Sequence, residues 1–213
     1  MTEMPRYLLC GALLALVVLA PVRADDSPVS RLPRISDQPG DPVLKQLFDD
    51  TRARGGQILN LHLTQGHAPK LARARRDLGY AIRFDTILPP LLREIAILRT
   101  SQILESEYDR NRHVPLAKAC GLTDAQLDAL AVWQGSDLFD KKTQAMLAYI
   151  EALVLQGGEV DDEVFNELAK HFNPQEIVEI TLTVGNYFAT GIFTKALKVR
   201  VETDGRGAVR GKC

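Results

Sequence analysis

The sequence predicts an all-α fold. Apolar residues recur at helical spacing from residue 42 to about 197, helix-start and helix-stop residues punctuate that stretch, and no sustained apolar/polar alternation or hairpin pattern interrupts it. Asp41-Pro42 places an N-cap before a proline at the first helical position, and Val43, Leu44, Leu47 and Phe48 form one apolar face that Gly55-Gly56 stops. Ile58, Leu59, Leu61 and Leu63 mark a short second segment. A third runs from Pro69 to Ile82, with Leu71, Leu78 and Ile82 aligned and Lys70, Arg73, Arg75 and Arg76 on the wetter side. Pro89-Pro90 opens the next helix. Leu91, Leu92, Ile95, Ala96, Leu98, Ile103 and Leu104 make it apolar over much of its circumference, which predicts a central position; Glu94 and Arg99 are the exceptions. Ser106 and Asp109 read as a short-side-chain capping box for a helix that runs toward Cys120 and stops at Gly121. Pro115 lies inside it and predicts a kink or early break. Thr123 with Gln126 caps a segment through Leu127, Leu130 and Trp133, and Asp140 caps a helix through Met146, Ile150 and Val154. Asp161 starts one through Leu168 and Phe172, and Asn173-Pro174 with Glu176 starts the last, through Ile177, Val184, Phe188 and Leu197. Its small residues Gly185, Ala189, Thr190 and Gly191 permit close contact, either in the core or between subunits.

One domain, residues 42–202, accounts for this pattern. Residues 25–41, rich in Asp, Ser, Pro and Gly without a period, read as a flexible arm, and 203–213 as a flexible Gly-rich tail. Residues 1–24 read as a signal peptide: Arg6 precedes an uncharged run from Tyr7 to Val22, and small Ala24 suits the position before cleavage. The run is shorter than the roughly 20 apolar residues that cross a bilayer. The expected product is secreted or periplasmic, with no membrane association after cleavage. Net charge is −1 for the whole chain. That leaves no basic excess for nucleic acid and no charge block for a membrane surface. Of three cysteines, Cys10 sits within the apolar run rather than ending it, as a lipidated cysteine would. Cys120 and Cys213 make no disulfide framework, although export would permit them to pair, and Cys120 reads as a small buried apolar residue.

The polar stretch E-I-A-I-L-R-T-S-Q-I-L-E-S-E-Y-D-R-N-R-H, residues 94–113, carries the candidate chemistry. Asp109 and His113 are four apart and share a helix face, so the carboxylate can orient the imidazole. Glu94, from the preceding helix, can approach the junction at Ser106, and Tyr108 offers a phenol. Such a set can move a proton to or from a carbon acid. Arg99, Arg110 and Arg112 can hold a substrate carboxylate. Set against this, Arg110 and Arg112 fit a solvated helix face, and Arg99 fits an ion-pair partner beside Glu94. The whole cluster also fits a buried network that fixes two helices together. A metal set of Asp109, His113 and Glu94 has only one histidine and no distinctive spacing, so no metal is expected. No cofactor is called for. His62 and His67 are too loosely spaced to define a site, and His171 fits a charge near a helix C-terminus.

Residues from about 56 to 199 resemble the carboxymuconolactone decarboxylase and alkyl hydroperoxidase D-like superfamily. The resemblance is carried by L-P-P-L-L-R-E-I-A-I-L-R-T-S-Q-I and S-E-Y-D-R-N-R-H-V-P-L-A-K-A-C-G-L, and more loosely by W-Q-G-S-D-L-F and I-V-E-I-T-L-T-V-G-N-Y. It implies an all-helical fold assembled as homotrimers or homohexamers, with sites near subunit contacts. The thiol branch has a glutamate, a CxxC pair and a histidine. Glu94 and His113 match the ends, but Ser106 and Asp109 stand where the cysteines would be. Neither can attack a peroxide and form a disulfide. Cys120, near a helix C-terminus where the dipole opposes a thiolate, is a poor substitute. Ser106, Glu107 and Tyr108 are similar to the Ser-or-Cys, Glu-Tyr-Glu pattern of the non-thiol branch, while Asp109 shortens the following acid and Arg110 replaces a common tryptophan. The resemblance implies a lyase-like enzyme that transfers protons on a small organic acid or lactone without redox cysteines. Its catalytic candidates are Glu94, Tyr108, His113, Ser106 and Asp109; its substrate-binding candidates are Arg99, Arg110 and Arg112. An inactive oligomeric binding or scaffold protein of the same fold is the alternative, and a Cys120-dependent peroxidase the third reading.

Overall fold

The computed structural model describes residues 28–203, 205 and 206; the signal segment, Cys10 and Cys213 lie outside the described residues. Its centre is α4 (Pro90–Ile103), the helix whose apolar residues encircle it. Four consecutive residues, Ile95, Ala96, Ile97 and Leu98, are buried, so this helix needs cover on several sides. The cover comes from α5 (Glu107–Ala119), α7 (Lys141–Leu155) and α9 (Pro174–Ala196). Between them Ile95, Met146, Leu147, Ile150, Ile180 and Val184 form the main core. Each such side chain contributes about 1.5–3 kcal/mol on burial. The short α6 (Asp124–Ala129), a 3-10 turn (Leu130–Gly135) and α8 (Asp162–Ala169) close the far side. On the near side, α1 (Pro42–Ala53), α2 (Asn60–Gln65) and α3 (Pro69–Phe84) build a second core from Leu44, Leu47, Phe48, Ile58, Leu63 and Ala72.

The caps form where the sequence placed them. Asp41 accepts the Leu44 N–H at 2.9 Å, Asp140 accepts that of Thr143 at 2.8 Å, and Thr123/Gln126 and Asn173/Glu176 form reciprocal capping boxes. Ser106 is a correction. It occupies the N-cap position of α5 but its hydroxyl bonds no backbone N–H there; it donates to the Asp109 carboxylate at 2.7 Å. Pro115 is another, because α5 runs unbroken from Glu107 to Ala119 around it.

The inward face of α3 also differs from expectation. Leu71 and Leu78 are 69% and 40% exposed, while Ala72 and Ile82 are buried. Arg75 and Arg76 lie on the inward side, where Arg75 donates to Thr190 Oγ1 of α9 at 2.7 Å. An arginine can lay its apolar stem along a helix while its head reaches a polar cavity, so counting apolar residues placed the stripe on the wrong side.

Residues 28–41 form no helix, yet they are docked rather than loose. Val29 and Ser30 are buried, Arg31 N–H donates to Leu197 O at 2.7 Å, and Arg200 N–H donates to Val29 O at 2.9 Å. Arg206 likewise reaches back to Ile58 O and Asn60 Oδ1. Among the described residues, no helix is long and apolar enough to cross a membrane.

Candidate active site

The site begins at the α4–α5 junction. Ser106 N–H bonds Ser101 O and Glu105 N–H bonds Gln102 O, the paired closure that ends a helix when the next residue turns left-handed. Glu105 takes that role with φ of 52°, a conformation costing a non-glycine residue roughly 1–2 kcal/mol. The turn folds α5 back along α4. Gly191 lets α9 close over it, since a Cβ there would sit 2.9 Å from Leu104 Cδ1 and 3.4 Å from Ser106 Cβ.

This hairpin brings Glu94 and His113 together. His113 Nδ1 lies 2.7 Å from Glu94 Oε2, and the two residues are 6% and 1% exposed. Burial pushes the Glu94 carboxyl up, but the hydrogen bond and charge of His113, then the charges of Arg93 and Arg83, more than offset it and hold Glu94 below its ordinary value. Glu94 is therefore the acceptor and Nδ1 carries the proton. In the neutral ring the lone pair is left on Nε2. Nε2 has no hydrogen-bond partner among the described residues, and His113 lines a cavity of about 480 Å³. Arg93 completes the support: its Nε is 3.5 Å from Glu94 Oε1 and its guanidinium donates to Arg83 O at 3.0 Å.

The cavity lies between the α1–α2 loop, α3, α5 and α9. Arg54, Arg75, Arg76, Arg83 and Arg112 line it, and among the described residues Asp109 is the one carboxylate on its wall. Burial, then the like charges of Arg83 and Arg54, pull the Arg76 guanidinium below its ordinary value. Arg54 stacks over the Tyr80 ring at 4.2 Å. His62, also on the wall, accepts the Leu59 N–H at Nδ1; burial, then Arg76 and Arg112, push it down to about 3, so it adds no charge at neutral pH. The result is a concave surface with a strong excess of positive charge, suited to an anion.

The predicted residues separate into groups. Glu94 and His113 meet as a pair. Asp109 is buried beside them but does not bond His113; it accepts from Ser106, whose hydroxyl is also 3.4 Å from Thr194 Oγ1. Burial raises the Asp109 carboxyl, against the Ser106 bond and the charges of His113 and Arg75. Orientation of the imidazole thus belongs to Glu94. Tyr108 lines the cavity, yet its hydroxyl donates to Glu202 at 3.0 Å and accepts from Leu61 N–H at 3.4 Å. Burial and then Glu202 push this phenol well above its ordinary value. Arg112 reaches the cavity wall. Arg110 is exposed and Arg99 points elsewhere: it pairs with Glu151 at 2.5 Å, and Trp133 Nε1 donates to the same oxygen at 2.8 Å. Arg99 is a structural ion-pair partner, of Glu151 rather than Glu94.

Sequence reasoning missed Arg83, Arg93, Tyr187 and Glu202. Arg75, Arg76, Gly79 and Arg83 share one helical face, a spacing that could have exposed the basic wall. Tyr187 sits in an apolar run and carries no such signal. Among the described residues, no three His, Cys, Asp or Glu side chains are grouped to hold a metal.

Cys120 is a further correction. It is half-buried and disulfide-bonded, not a buried free thiol. It lines a second cavity of about 370 Å³, on the Glu94 side of the pair, that shares Arg83, Phe84 and Leu116 with the first. A sulfur held in a disulfide is not a thiolate nucleophile.

Comparison with known proteins agrees with this architecture. Residues 69–152 match the carboxymuconolactone decarboxylase family model. An uncharacterised Escherichia coli K12 protein, YnjA, is 29% identical over 122 residues, covering 57% of this chain and 66% of its own length, a little under two thirds. The crystal structure of an alkylhydroperoxidase AhpD core, a peroxidase-related protein from Ralstonia eutropha JMP134, superposes with a TM-score of 0.72 at 21% identity. It covers 85% of this chain and 98% of its own. The debrominase Bmp8, bound to 2,3,4-tribromopyrrole, superposes with a TM-score of 0.64 at 24% identity, covering 82% of this chain and 91% of its own. Residues 69–152 therefore resemble the carboxymuconolactone decarboxylase family, and the all-helical fold is that of the alkyl hydroperoxidase D-like structures.

Proposed function

We propose that this chain is an exported, self-associating enzyme that uses His113 as a general base and acid on a small organic acid or lactone acid, without thiol chemistry. The observation that carries this reading is the open face of the Glu94–His113 pair. Nδ1 is held by an ionised carboxylate, Nε2 has no hydrogen-bond partner among the described residues, and the ring lines a cavity rich in guanidinium groups. A sealed, fully paired network would instead fit a scaffold role.

In this reading Arg76, Arg83 and Arg112 neutralise a substrate carboxylate, and Nε2 removes a proton from the adjacent carbon. A decarboxylation needs no prior deprotonation: the C–C bonding pair stays on carbon as CO₂ departs, and His113, protonated at the outset, gives its proton to that carbon. The arginines then serve best on the carboxylate that remains. A guanidinium clamped on the departing group would stabilise the substrate more than the transition state.

The reading predicts that small lactone acids and aromatic acids raise the melting temperature, because a ligand bound only by the folded state stabilises it. Their methyl esters, and 2,3,4-tribromopyrrole, which lacks a carboxylate, should have little effect. Equal shifts from acids and esters would remove the basis for an acidic substrate.

Self-association rests on α9. Val178, Leu182, Gly185, Ala189 and Ile192 recur at alternating spacings of four and three and are all exposed. That is the spacing of an apolar seam between helices. Sedimentation velocity should find a trimer or hexamer, and a monomer at micromolar concentration would contradict this.

A further inference from the structure

We propose that Tyr187 is the hydrogen-bond donor that stabilises the oxyanion formed when His113 removes a proton beside a carbonyl group. The proposal rests on the acid–base reading and assigns a task that reading leaves open. Taking a proton from carbon moves negative charge onto the neighbouring carbonyl oxygen. A donor already aimed at that oxygen stabilises the developing charge without reorganisation.

Tyr187 extends from α9 to His113. The two rings meet edge to face with centroids 4.8 Å apart, so the phenol stands beside the ring that acts as base. Tyr187 is 8% exposed and lines the cavity. Its hydroxyl has no hydrogen-bond partner among the described residues and is not sealed from the cavity. Of the other phenols on the cavity wall, Tyr108 donates to Glu202, and the Tyr80 ring packs against Arg54 and Phe84 rather than against His113. An incoming oxygen would supply the partner that this hydroxyl lacks among the described residues.

The surroundings keep Tyr187 a donor. Burial, then the negative charge of Glu94, push its phenol well above the ordinary value; Asp109 acts in the same direction, and Arg83 and Arg93 oppose. Its proton therefore stays in place while it donates. In the step itself, the C–H bonding pair becomes the enolate C=C as His113 Nε2 takes the proton. The carbonyl π pair moves onto oxygen, and the Tyr187 O–H bonds that oxygen without transferring its proton. Collapse reverses the electron flow and returns the proton from His113.

Tyr187→Phe and Tyr108→Phe can be compared by following deuterium uptake into muconolactone, an unsaturated lactone acid, by proton NMR. Wild type should exchange. Tyr187→Phe should lose about a hundredfold in kcat with KM changed less than threefold, the scale of one oxyanion donor. Tyr108→Phe should lose less than tenfold. If wild type exchanges and Tyr187→Phe stays within threefold of it, the assignment of Tyr187 is overturned while the acid–base reading stands. If wild type itself does not exchange, that reading fails and Tyr187 falls with it. Should Tyr187→Phe fold poorly, 3-fluorotyrosine at position 187 keeps the shape and makes the phenol more acidic. A shift in the alkaline limb of the rate profile is then expected, and an unchanged profile overturns the proposal.

Discussion

Glu94→Ala should destabilise the protein by about 3–5 kcal/mol, because it leaves the buried Arg93 guanidinium without its counter-charge and His113 Nδ1 without its acceptor. Glu94 is 1% exposed, and its carboxylate faces His113 Nδ1 at 2.7 Å and Arg93 Nε at 3.5 Å. Arg93 is itself 9% exposed and cannot recover the lost interaction from water. Glu94→Gln keeps the shape and an acceptor oxygen, so it should cost less, about 1–2 kcal/mol, the scale of weakening one hydrogen bond to a charged group. Urea unfolding at neutral pH measures both. The pH dependence has a definite sign. The folded-state pKa of Glu94 lies below its unfolded value. Its contribution is therefore fully present above the unfolded carboxylate pKa and is lost as pH falls through the folded value. Stability should fall on acidification more steeply in wild type than in Glu94→Gln. A Glu94→Ala variant as stable as wild type would mean that the pair does not hold α4 to α5.

The fold was legible because its signals are local. Proline at the start of α1, α4 and α9, and polar caps at Asp41, Thr123, Asp140 and Asn173, mark helix starts without knowledge of the neighbours. The encircling apolar residues of α4 placed it at the centre for the same reason. Glu94 and His113 were legible together through the family resemblance, whereas helical spacing alone gave His113 to Asp109.

What could not be read depends on tertiary contacts. Asp109 has the right spacing to orient His113, but the Ser106 hydroxyl takes its carboxylate. Tyr108 has the right chemistry, but Glu202, far away in sequence, accepts its hydrogen bond. Arg99 is near Glu94 in sequence, yet a helix places neighbouring residues on different faces, and Arg99 meets Glu151 of α7. The basic wall escaped because α3 hides arginine stems where a helix normally buries leucines. Pro115 did not break α5, since a single lost backbone bond on an exposed face is tolerated by a helix packed on α4 and α9.

His113→Gln should have the largest effect on chemistry. Glutamine keeps a polar group that Glu94 can bond, so α4 and α5 remain joined, but its amide cannot accept a proton at neutral pH. General acid–base groups contribute about 10²- to 10⁴-fold to rate. The loss should fall in that range, with acid binding retained because the guanidinium groups of Arg76, Arg83 and Arg112 are untouched. A variant that unfolds would be recognised by its melting curve, and a folded one isolates the imidazole. The most direct measurement is the rate of deuterium uptake into muconolactone by wild type and by folded His113→Gln at neutral pH. Uptake by wild type that drops at least a hundredfold in the variant is the predicted result. Equal uptake by both proteins would contradict His113 as the proton-transfer group.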